Sequence, residues 1–231
     1  MYSYWSIQTN MGTRESKVTA VFTSFNRLDL LKATTDSFNK MNTYPLKEKI
    51  IIEDSGVPSV HEQLKRDYPD YKLILNPTNI GLIESIDKAY AEVTTPYVFH
   101  SEDDFAYIKS GFIEPSIKIM DSNTWIMQVW LSNRHNERLD DEVIIADDVK
   151  YKMVSINNMC GIWHGFTFIA GLRSMIGYEK TKPWTQWSDP KEGLALRECK
   201  IGWAYYKLGY RAACLLDIPY CEHTGYYRTT W

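Results

Sequence analysis

Three consecutive acids, Glu102, Asp103 and Asp104, follow closely on the short apolar run Tyr97–Phe99 in the segment PYVFHSEDDF. Like charges this close repel, and at a buried end their crowding is costly unless a cation holds them. Oxygen ligands projected from the end of a strand suit Mg2+ or Mn2+, most of all beside a phosphate that shares the metal. The same residues also suit a solvated acidic turn, so the segment alone leaves both readings open. Other polar clusters occupy comparable places. Thr23-Ser-Phe-Asn-Arg27, Asp54-Ser-Gly56 and Asn76-Pro-Thr-Asn-Ile-Gly81 each close a short apolar run.

The elements that must position these residues follow from periodicity. Val18–Thr23, Lys49–Glu53, Tyr71–Leu75 and Tyr97–His100 read as buried strands. Between them, 28–41, 60–68 and 82–93 read as helices, the second stopped by Pro69. Strand and helix alternating at this spacing predict an α/β fold with right-handed crossovers and a mostly parallel twisted sheet flanked by helices. Ligands of such sheets bind beyond the carboxyl ends of the strands, where the four polar tips converge. That convergence favours the cation site over the solvated turn.

The second half is less regular. A helix is predicted over 112–120, strands over 125–131, 161–168 and 210–215, and a helix over 192–208 closed by Gly209. Residues 132–150 carry two more acid clusters, Asp140-Asp-Glu142 and Asp147-Asp148, with no apolar strand to deliver them, and read as a solvated surface loop. Residues 1–16 read as an N-terminal extension, and 17–231 as one domain with a regular half (17–108) and a mixed half (109–231).

Composition narrows the function classes. A net charge of −3 gives no basic footprint, which argues against nucleic acid as the main partner. The N-terminus lacks a signal-like apolar core and no 18-residue apolar run occurs, so no membrane anchor is expected in the chain. Cys160, Cys199, Cys214 and Cys221 show no CxxC or zinc spacing, so reduced thiols and a cytoplasmic location are expected. With 8 Trp and 16 Tyr the chain is rich in aromatics, which serve core packing or offer stacking faces to sugars.

Taken together, Thr23–Arg27, Glu53-Asp-Ser-Gly56, Asn79-Ile-Gly81 and Glu102-Asp-Asp104 resemble the motifs of a GT-A glycosyltransferase of the family 2 type, a Rossmann-like fold. The resemblance covers 18–105 well and returns over Glu198–Arg211 and His223-Thr-Gly225. It implies transfer of a sugar from a nucleotide-diphosphate sugar to a glycan or other acceptor hydroxyl, with inversion, using Mn2+ or Mg2+. Glu102-Asp103-Asp104 would stand for the family's DxD motif, departing from it in the first acid. Asp104 would meet the metal and Asp103 the ribose or donor sugar, with Glu102 able to take either role. Thr23, Phe25 and Arg27 would line the nucleoside and phosphate pocket. Asp54 would bond the base, of a uridine or a guanosine donor alike, and Asn79 and Gly81 would form the nucleotide-side turn. His223 would reach back to the metal or diphosphate. Glu198 fits the spacing of the general base, with Asp189 and Glu192 as competitors. His164 is a further candidate, and Trp163, Phe166, Trp184 and Trp187 would fall on the acceptor side. A non-catalytic nucleotide- or glycan-binding module on the same fold is the alternative. A sugar nucleotidyltransferase is disfavoured, because Ser24-Phe-Asn-Arg27 lacks the glycines of a phosphate-cradling loop.

Overall fold

The structure is a computed structural model; it describes residues 15–132, 138–156, 164–217 and 219–225. The expected N-terminal extension therefore lies almost wholly outside the described residues, as do Cys160 and Trp163. The first half alternates as the periodicity predicts: β1 (Val18–Ser24), α1 (Leu28–Met41), β2 (Glu48–Glu53), α2 (Pro58–Asp67), β3 (Lys72–Leu75), α3 (Leu82–Tyr90) and β4 (Tyr97–Glu102). Every residue of β1 is buried, as a central parallel strand covered on both faces requires. α1 shows the sheet one stripe, Leu31, Thr34, Thr35 and Phe38, at helical spacing.

After β4 come β5 (Phe105–Tyr107), α4 (Ile113–Ser122), β6 (Ile126–Trp130), β7 (Ile144–Ala146), β8 (Val149–Met153), β9 (Gly171–Ser174), α5 (Met175–Thr181), α6 (Leu194–Lys207), β10 (Arg211–Leu215) and β11 (Cys221–His223). A 3-10 turn, Trp184–Trp187, sits between α5 and α6. One nine-stranded sheet spans both halves in the order β3-β2-β1-β4-β9-β6-β10-β8-β7. Neighbours β3, β2, β1 and β4 run parallel, β9 runs antiparallel between β4 and β6, and β6 and β10 run parallel. The two faces hold separate cores, one around Phe22, Phe38 and Phe99 and the other around Ile86, Trp184 and Tyr205. A small second sheet pairs β11 with β5, setting His223 opposite Phe105.

Several expectations for the second half are corrected. The strand expected over 161–168 is not formed by its described part, 164–168, which is irregular, and the nearby strand is β9 instead. Residues 132–150 are not a loop throughout, because β7 and the start of β8 form an edge hairpin turning at Asp147, whose φ is 53°. Its acids are surface groups as expected: Asp140 meets Arg211 at 2.6 Å and the exposed Asp148 meets Lys118.

β9 approaches β6 so closely that a Cβ on Gly171 would lie 2.4 Å from the Val129 carbonyl oxygen. A backbone atom in mid-sheet cannot step aside. Gly171→Ala is expected to lower unfolding free energy by about 2 kcal/mol, read as a lower denaturation midpoint at unchanged slope.

Candidate active site

The tips of β1, β2 and β4 and the α3 entry meet at the carboxyl edge of the sheet, and each is tied to the next. Arg27, 3% exposed, closes the β1–α1 loop. Its Nε donates to Asp103 Oδ2 at 3.1 Å, Nη2 donates to Asp103 Oδ1, and Nη1 donates to Asp104 Oδ2 at 3.0 Å. Thr34 on α1 completes the grip, donating to the Asp103 carbonyl at 2.8 Å and accepting from Phe105 N at 3.0 Å. Phe25 N also donates to Asp103 Oδ2, at 3.3 Å. Arg27 and Asp103 engage each other inside the protein, because a buried charge of either sign needs its partner at contact distance.

Asp54 is likewise turned inward and fully buried. It accepts from Asn76 Nδ2 (2.7 Å) and from the backbone N–H groups of Ile80 (3.0 Å) and Gly81 (2.8 Å). Asn79 Oδ1 accepts from Gly81 N as well, at 2.9 Å. Asp54 thus builds the turn that carries Asn79 and Gly81. Gly81 has φ 103°, a backbone region closed to most side chains, and its bare Cα faces Glu84 of α3.

The adjacent Glu53 was not singled out in the sequence. Its Oε1 accepts from Asn26 N (3.0 Å) and Ser55 N (2.9 Å), whereas its buried Oε2 has no partner among the described residues. Thr23 Oγ1 and Ser24 Oγ are buried and unpartnered in the same way. Its sequence signals were its place in the Glu53-Asp-Ser-Gly56 motif and a charge closing the run Ile50–Ile52.

Asp104, 3% exposed, lies at the centre. Its carbonyl accepts from Thr224 N (2.7 Å) and Thr224 Oγ1 (2.9 Å), and its Oδ2 faces His223 Nε2 at 3.4 Å. Gly225 leaves room for the carboxylate: a Cβ there would lie 2.1 Å from Asp104 Oδ2. Asp104 Oδ1 is buried without a hydrogen-bond partner among the described residues. The β5–β11 pairing is what delivers His223 to this point, some 120 residues along the chain from Asp104.

Strand alternation sends Glu102 to the opposite face from Asp103, toward α6. There it meets the field of Glu198, whose Oε1 accepts from Phe168 N at 2.7 Å. The rival acids lie elsewhere. Asp189 is exposed and caps its own turn through Lys191 N (2.9 Å), and Glu192 pairs with Lys200 at 2.6 Å. Of the aromatics, Phe166 (1% exposed) and Trp184 (0%) are core residues. Trp187 donates from Nε1 to the Thr181 carbonyl at 2.7 Å, and His164 stacks on Tyr206 with ring centres 4.1 Å apart.

The electrostatics are lopsided. Burial, reinforced by the charges of Asp104, Asp103 and Glu198, pushes the Glu102 carboxyl up to about 8. Burial also raises Asp103, to about 7, against the pull of Arg27. For Asp104 burial acts upward too, but His223 and Arg27 outweigh it and hold the carboxyl below its ordinary value. Burial raises Glu198 against the hydrogen bonds from Thr167 and Phe168. Among the described residues no group of three or more His, Cys, Asp or Glu side chains is arranged so that it could hold a metal ion.

Residues 19–127 match the model of Glycosyl transferase family 2. The chain is similar in structure to the mannosyltransferase PcManGT from Pyrobaculum calidifontis, solved with GDP-Man and Mn2+ (TM-score 0.62, 16% identity, covering 94% of this chain and 59% of that one). It is also similar to S. aureus TarS (0.65, 13%, 90% and 36%) and to GalNAc-T7 with UDP, GalNAc and Mn2+ (0.61, 11%, 92% and 44%). The chain thus spans less than two thirds of the length of each. No curated protein matches it in sequence. The fold is the GT-A fold of glycosyltransferases.

Because Glu102 binds its proton more tightly in the folded chain than at the ordinary value of 4.5, stability falls as pH rises from about 5 to about 8. Glu102→Gln should flatten that slope in metal-free buffer. The variant is expected to gain on the order of 1–3 kcal/mol over the parent at pH 8.5 and little at pH 5, by urea denaturation.

Proposed function

We propose that this GT-A chain, which carries the family 2 pattern over residues 19–127, transfers a sugar from a nucleotide-diphosphate sugar to an acceptor hydroxyl with inversion. The observation that carries the reading is Asp104. Its Oδ2 meets Arg27 and His223, whereas its Oδ1 is buried without a hydrogen-bond partner among the described residues, in a cluster with Glu102 and Asp103. Such an oxygen suits a divalent cation that completes its shell with diphosphate oxygens, since Mg2+ and Mn2+ bind through one or two carboxylates plus substrate phosphates. Asp104 would hold the ion, with His223 and Glu102 beside it, and when bound it would supply charge neutralisation to the departing diphosphate.

The remaining tasks fall to the chain's own side chains. Glu53 Oε2, Thr23 Oγ1 and Ser24 Oγ are the buried acceptors open to the nucleoside, and a carboxylate there suits the ring N–H of uracil or guanine alike. Phe25, half-buried at the β1 tip, offers a ring face to the base. The Asn79–Gly81 turn, braced by Asp54, walls the nucleotide side. Arg27 keeps Asp103 and Asp104 in place, so its charge acts on the site through them. Glu198 takes the proton of the acceptor hydroxyl as that oxygen bonds to the anomeric carbon and the bond to the diphosphate breaks. Its raised proton affinity suits that step.

No helix among the described residues is long and apolar enough to cross a membrane. Cys214 and Cys221 are buried thiols outside any disulfide, which supports a reducing compartment such as the cytoplasm.

Calorimetry with UDP- and GDP-sugars, with and without Mn2+, tests the reading; absence of binding to every donor would overturn it. Asp104→Ala is expected to abolish Mn2+ stimulation of transfer while circular dichroism stays unchanged. Glu198→Gln should lower kcat by roughly 10²–10⁴-fold with donor Kd within about twofold of the parent. Loss of donor affinity in that variant would remove Glu198 as the base.

A further inference from the structure

Arg173 of β9 is a guanidinium with 2% exposure, and the proposed chemistry assigns it no task. It pairs across the sheet with Gln128 of β6, so the two side chains leave the same face. A buried arginine ordinarily finds a carboxylate. Here Nη1 donates to Tyr90 OH at 2.7 Å, while Nη2 donates to the carbonyls of Thr167 (2.9 Å) and Ile169 (3.3 Å). Gln128 takes hold of the same stretch. Its Nε2 donates to the Thr167 carbonyl at 3.0 Å and its Oε1 accepts from Thr167 N at 3.2 Å.

Thr167 N–H, Thr167 C=O and Ile169 C=O are thus held by Gln128 and Arg173, and the intervening Phe168 N–H is left for another acceptor. That N–H donates to Glu198 Oε1 at 2.7 Å. α6 closes on the stretch from the other side, where a Cβ on Gly202 would sit 3.3 Å from Phe166 Cβ. We propose that Arg173, with Gln128, is the positioning residue for Glu198, fixing 167–169 so that Phe168 N–H orients the carboxylate. This rests on the reading of Glu198 as the base. The positive charge of Arg173 also opposes the rise in proton affinity at both Glu198 and Glu102.

The test combines amide hydrogen exchange over 164–170 with transfer kinetics, using the whole chain, Mn2+ and the donor that binds. Arg173→Met is expected to speed exchange at Phe168 at least tenfold. It should also lower kcat at least tenfold with donor KM within twofold, and Arg173→Lys should restore part of both. Unchanged exchange overturns the proposal whatever the activity, and so does a kcat unchanged despite faster exchange. A parallel loss of donor affinity marks a structural role only and also overturns it. If Arg173→Met does not fold, Tyr90→Phe, which removes one hydroxyl, should give the same pattern at about threefold; no change in exchange there is equally fatal. A parent protein that transfers from no donor overturns the base assignment and the catalytic half of the proposal, whereas the exchange arm decides the clamp by itself.

Discussion

The buried contact of Arg27 with Asp103 and Asp104 is the constraint on which the site depends. Removing the guanidinium would leave carboxylates inside the protein with no counter-charge, a loss on the order of 3–5 kcal/mol for a buried pair. The contact also joins three segments distant in sequence: the β1–α1 loop, the turn after β4, and through Asp104 the β11 tail with His223. Thr34 fastens the same turn to α1 from below. The acid turn is therefore rigid before any ligand arrives, and a rigid charge constellation is what transition-state stabilisation requires.

Around that anchor the charges divide by strand geometry. Adjacent residues of a strand end face opposite ways, so Asp103 turns to α1 and its arginine while Glu102 turns to α6 and another acid. One side is neutralised within the fold. The other holds two carboxylates whose proton affinity burial raises, helped at Glu102 by the charges of Asp104, Asp103 and Glu198. Arg173 opposes that rise from a distance, while its bonds go to a tyrosine and to backbone carbonyls. An acid-rich face tempered at a distance suits a site that must receive a cation and a diphosphate together.

The donor edge shows the same division between bracing and contact. Asp54 is saturated by Asn76 and two backbone N–H groups, so it shapes the turn at Gly81. Its neighbour Glu53 keeps one buried oxygen without a partner. Burial of the two side chains is nearly equal, yet one is satisfied and the other is not.

The α/β alternation, the parallel strands β1–β4 and the gathering of Thr23–Arg27, Asp54–Gly81 and Glu102–Asp104 at one edge were legible in the sequence. They follow from local periods and from the rule that parallel strands present their carboxyl ends together. Spacing put Glu198 ahead of Asp189 and Glu192 in the sequence, but only the fold shows that Glu198 meets Phe168 N–H while Glu192 pairs with Lys200. The antiparallel β9, the β7–β8 hairpin and the β5–β11 pair were not legible, because each is a run of three to five residues stabilised by neighbours far along the chain. Which carboxylate is satisfied by Arg27, which acid faces Glu198, and that Arg173 grips 167–169 were decided by tertiary structure alone. Arg27 meets Asp103 across 76 positions, Glu198 meets Phe168 across 30 and Arg173 meets Tyr90 across 83, and no local pattern of residue types encodes which polar group will meet which.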